Sequence, residues 1–172
     1  MRLAKDRSLS SILAAFLNIA RVIIWIGFVG LAIAVVVIPI GALVFNGLQG
    51  VESLDIDGDF HIGRGEYIEI TYQFVTFAVL LFVVNQLLGI LKTLRLESPF
   101  VMENADRFRK VGYGLLIGEG AKFIFGFLSM IFDADIEIEM ELITWIAIIA
   151  VFVLAEVFRE GAAMKEEQDL TV

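Results

Sequence analysis

Four long apolar runs, separated by three polar connections, decide what this chain can become. The runs cover about residues 22–45, 72–91, 111–132 and 142–160. The first, at 1.5 Å per residue, reaches about 36 Å as a helix, enough to cross a hydrocarbon layer of ~30 Å. Hydrophobic residues make up 59% of the 172 positions, against roughly 45–50% in an average soluble domain. A soluble core this small has no place for that excess. The chain therefore predicts an all-α membrane protein, a bundle of four transmembrane helices forming a single domain over residues 1–172. The first run is too long for a signal-peptide core, and no small-residue cleavage site follows it, so it reads as an uncleaved anchor.

Charge is segregated along the chain, and this sets the expected orientation. Arg2, Lys5, Arg7 and Arg21 precede or open the first run. Lys92, Arg95, Arg107, Arg109 and Lys110 lie between the second and third, and Arg159 and Lys165 end the fourth. The other two connections contain one base, Arg64, among many acids. Basic residues stay on the cytoplasmic side. Both termini and the central connection are thus expected in the cytoplasm, and the acidic connections outside.

Residues 9–17 place Leu9, Ile12, Leu13, Phe16 and Leu17 at helical spacing. Either an interfacial amphipathic helix or a simple extension of the first span fits that pattern. Pro39 falls inside the first span, where it removes one backbone donor. In residues 46–71, Leu54, Ile56, Phe60, Ile62, Tyr67, Ile68 and Ile70 alternate with polar residues around Asp57-Gly58, a two-residue hairpin signal. Short β-strands in the extracytoplasmic connections follow. Residues 133–141, DADIEIEME, alternate in the same way and are expected to pair with them. Asp55, Asp57, Asp59 and Glu66 occupy positions 1, 3, 5 and 12 of a calcium-loop pattern, but Phe60 stands where that loop needs glycine. The alternative is a hairpin with solvated carboxylates.

Ser98-Pro99 resembles a helix start, with Ser as cap and Pro at the first helical position. The sequence after it predicts a short amphipathic cytoplasmic helix running into the third span. Its Arg107, Arg109 and Lys110 would meet lipid head groups or a protein partner. Asn85 and Gln86, near the inner end of the second span, are expected to hydrogen-bond to neighbouring helices. Glu119 and Lys122, three residues apart inside the third span, fit either a buried pair that orients the bundle or an ion or proton site. Glu156 is placed to pair with Arg159. Cysteine is absent and His61 is the sole histidine. No phosphate loop, zinc motif, nucleophile elbow or basic-aromatic nucleic-acid face is present, so a non-enzymatic protein without cofactors or direct nucleic-acid binding is expected.

The segments SPFVMENADRFRKVGYG and LAEVFREGAAMKEEQDLTV resemble the DUF2975 family of bacterial membrane proteins. The matching positions are Pro99, Phe100, Asn104, Arg107, Phe158, Arg159, Glu160, Gly161, Leu170, Thr171 and Val172, with Phe108 where a leucine is usual. The resemblance implies a four-helix protein of the bacterial inner membrane, with no established activity. It also implies an association with a small cytoplasmic helix-turn-helix regulator of the Xre/Cro type. A composite partner-binding surface follows, in which Arg107, Arg109 and Lys110 face Glu160, Glu166, Glu167 and Asp169 of the tail, beside Arg159. The alternative is a transporter or ion-conducting homo-oligomer built on Glu119 and Lys122.

Overall fold

The computed structural model describes residues 2–48, 64–96, 99–137, 139 and 141–170. It is all α: α1 (Arg2–Leu48), α2 (Arg64–Leu96), α3 (Met102–Phe132) and α4 (Leu142–Leu170). Each contains a stretch long and apolar enough to span a membrane: Ser10–Gly41, Gly65–Leu94, Met102–Phe132 and Leu142–Gln168. This makes the chain a multi-pass membrane protein.

The helices pack in chain order. Among the described residues α1 touches only α2, α2 also touches α3, and α3 also touches α4. Antiparallel neighbours are what short connections produce. Small residues allow close approach, as expected where no hydrophobic effect drives helices together. A methyl group on Gly27 would lie 3.0 Å from the Phe77 ring, and one on Gly112 would lie 2.8 Å from the Phe152 ring.

These contacts fix the register. Gly27 faces Phe77, and Phe28 meets Phe74 with ring centroids 5.2 Å apart. Gly114 faces Phe82 and Val83, while Tyr72 meets Phe125 at 5.6 Å. Phe108 meets Phe158 at 4.8 Å and Tyr113 meets Phe152 at 5.3 Å. One level across the assembly therefore passes close to Asn18, Gln86, Lys110 and Glu156. Moving about 20 residues from Gln86 or Lys110, the helical equivalent of ~30 Å, ends near Glu66 and near Asp133. An apolar slab of bilayer thickness fits between these two polar levels.

Several expectations change. Of the two readings of residues 9–17, the extension of the first span holds, since α1 is continuous from Arg2. Tyr67, Ile68 and Ile70 are helical in α2, not strand. The Asp57-Gly58 hairpin lies outside the described residues. Among the described residues of 133–141 no strand forms. Alternation marks two faces of a segment, but a strand also needs a paired edge, and here the neighbours are helix ends. The connection is pinned instead by polar contacts. Asp133 takes a left-handed φ of 55° as the C-cap of α3. Ser129 Oγ donates to Ile136 O at 3.3 Å, and the Asp135 amide donates to Glu69 Oε1 at 2.6 Å.

The short amphipathic helix does not stand apart either. Residues 102–110 are the first turns of α3, which begins at Met102 after the extended residue Val101, with no side-chain cap. Pro99 is exposed and precedes the helix. Its role is that of an acceptor, described below.

Candidate functional site

Beyond the slab, at the end that carries both termini, α2, α3 and α4 continue into a polar and aromatic joint. Gly89 and Thr93 are one turn apart and share a face of α2. Arg107 of α3 reaches across to them. Its Nη1 donates to Gly89 O at 3.0 Å and to Thr93 Oγ1 at 2.6 Å, and meets Asn104 Oδ1 at 3.4 Å. Nη2 donates to Glu103 Oε1 at 2.6 Å, an ion pair on adjacent turns. The Arg107 side chain is 20% exposed. Thr93 Oγ1 in turn donates to Gly89 O at 3.1 Å. A methyl on Gly89 would stand 2.7 Å from Arg107 Nε, so that position has room for glycine alone unless the arginine moves.

Asn104 is fully buried. Its Nδ2 donates to Pro99 O at 3.0 Å and its amide to Val101 O at 3.0 Å, tying the incoming chain to the first turn of α3. Burial of an amide is tolerated because these bonds satisfy it. Phe100 then packs on α4. Its ring lies 5.5 Å from that of Phe158, and a methyl on Gly161 would stand 2.5 Å from it. Phe158 also meets Phe108.

The structure thus brings Pro99, Phe100, Asn104, Arg107, Phe158 and Gly161 together. Pro99 and Phe100 remain exposed at this joint, while Asn104 is buried within it. Arg107 Nη1 and Nη2 both donate within the protein. Arg109 and Lys110 are exposed, and Arg109 pairs with Asp106 at 2.9 Å. Arg159 pairs with Glu156, as the spacing predicts, and with Glu160 at 3.4 Å. Arg107, Arg109 and Arg159 each find a carboxylate one turn away on their own helix. Gly89 and Thr93 were not singled out by the sequence.

Inside the slab, Glu119 and Lys122 are half-buried and make no ion pair with each other within 4.0 Å. Neither Asn85, which is exposed, nor Gln86 hydrogen-bonds to another described residue. The indole nitrogen of Trp145, near the start of α4, is buried without a partner among the described residues. At the opposite end, Glu66, Glu69, Asp133 and Asp135 line an open acidic depression. Glu66 lies in the first turn of α2. Asp55, Asp57 and Asp59, the rest of the calcium pattern, fall outside the described residues. No cluster suited to a metal ion occurs among the described residues.

A family model described as a protein of unknown function (DUF2975) matches residues 65–172. No curated protein and no solved structure matches the chain.

Proposed function

Since the chain belongs to the DUF2975 family, we propose that it is a non-enzymatic protein of the bacterial inner membrane that holds a cytoplasmic helix-turn-helix regulator. Both termini face the cytoplasm, following the basic residues. One observation carries this reading: the family-like residues build a rigid joint beyond the slab, at the end richest in Lys and Arg. Around it stand exposed Arg109, Lys110, Arg159 and Glu160, with the charged end of α4 projecting past Gly161. The joint itself is a mount, and the rim around it is the docking surface. Recovery of a small helix-turn-helix protein with the tagged full-length chain, lost on Arg109→Glu or on deleting residues 165–172, supports it. Unchanged recovery in both variants sinks the rim as the surface, and recovery of no such protein sinks the function.

A second reading rests on the unpaired Glu119 and Lys122. Ionisable groups inside a membrane mark ion or proton paths. Proton flux in proteoliposomes that Lys122→Met abolishes would favour it. Absence of flux in the wild-type protein removes it.

A further inference from the structure

The face of α1 turned away from α2 carries an open groove of about 730 Å³ running from Asn18 to Ile33. Its two ends differ in chemistry. Arg21 stands one turn inside the Asn18 level, which is one edge of the slab, and Trp25 one turn deeper still. Arg21 is exposed and makes no ion pair or hydrogen bond among the described residues. Trp25 is 47% exposed, and its indole N–H is likewise without a partner there. Deeper in, the walls are aliphatic: Val22, Ile26, Val29 and Ile33. Gly30 leaves a notch, since a methyl placed on it meets nothing within 4 Å.

We propose that this groove binds one anionic phospholipid, phosphate at Arg21 and an acyl chain along the notch toward Ile33. Charge and length both select that occupant. An unpaired guanidinium at the head of an open apolar helix face asks for an anion with an apolar tail, and guanidinium suits phosphate geometrically. From the Asn18 edge to Val29 is about 16 Å of helix, close to one leaflet of a ~30 Å hydrocarbon layer, so the Gly30 notch lies near the midplane. Arg21 sits one turn inside the Asn18 level, within snorkelling reach of head groups.

The full-length protein is equilibrated in vesicles of equal phosphatidylglycerol and phosphatidylcholine, extracted in mild detergent and weighed by native mass spectrometry. One retained phosphatidylglycerol per chain is expected. Arg21→Gln should lower the preference over phosphatidylcholine by about fivefold, the weight of one basic residue near an anionic surface. Gly30→Leu, which fills the notch, should lower retention of both lipids, with helix content unchanged by circular dichroism. Equal retention of the two lipids by the wild type overturns the proposal, as does a preference that survives Arg21→Gln. A lipid-free dimer also overturns it, because a second chain then fills the groove.

Discussion

Arg107 is a cation held by both ends of its guanidinium within the protein, and its partners explain residues that would otherwise look ordinary. Gly89 lacks a side chain because the arginine occupies that space, 2.7 Å from where a methyl would be. Thr93 completes the acceptor set at 2.6 Å. Gly89→Ala should therefore cost about 1–3 kcal/mol through overpacking. Thr93→Val should cost about 1–3 kcal/mol, since it removes an acceptor from a charged, mostly buried donor. The two changes act on one network, so their effects should not add. Thermal melting of single and double variants in detergent checks this, and strict additivity would show that the joint is not one unit. Pro99, Asn104 and Arg107 were visible in the sequence because they stand in a recognisable segment. Gly89 and Thr93 were not, because in LLGILKT they read as a small residue and a tolerated hydroxyl inside an apolar helix. Their importance is a relation to another helix, which local pattern does not contain.

Helix number and type were legible because span length and apolar content are properties of each segment alone. Helix ends were less so. Alternation in 67–70 suggested a strand, yet these residues are the first turns of α2, where backbone continuity with a long helix outweighs a few β-favouring side chains. The start of α3 was placed at Ser98-Pro99 by its capping pattern, but the helix begins at Met102, and Asn104 holds it there. Asn104→Leu keeps the number and branching of side-chain heavy atoms and removes the bonds to Pro99 O and Arg107. The expected result is faster amide exchange over residues 102–106, with protection at the slab residues of α3 unchanged. Uniform loss of protection along α3 would mean that Asn104 supports the whole helix and not its first turn.

At the scale of the whole molecule, the registers of three helix pairs agree on a single slab. Asn18, Gln86, Lys110 and Glu156 mark one edge, and Glu66 and Asp133 the other. Agreement between independent contacts is the argument that α1–α4 share one bilayer position, and charge assigns its sides. The chain has no cysteine, so a single introduced thiol reports its own surroundings. Cysteine at Lys110 or Arg159 should react with an impermeant maleimide only after cells are opened. Cysteine at Glu66 or Asp133 should react in intact cells with a permeable outer envelope. Cysteine at Ile117 or Ile124, exposed but within the slab, should react in neither, because lipid and not water covers it. Labelling at Lys110 in intact cells would reverse the orientation and with it the cytoplasmic partner. Ready labelling at Ile117 would instead place water against α3, the condition that an ion path past Glu119 and Lys122 requires.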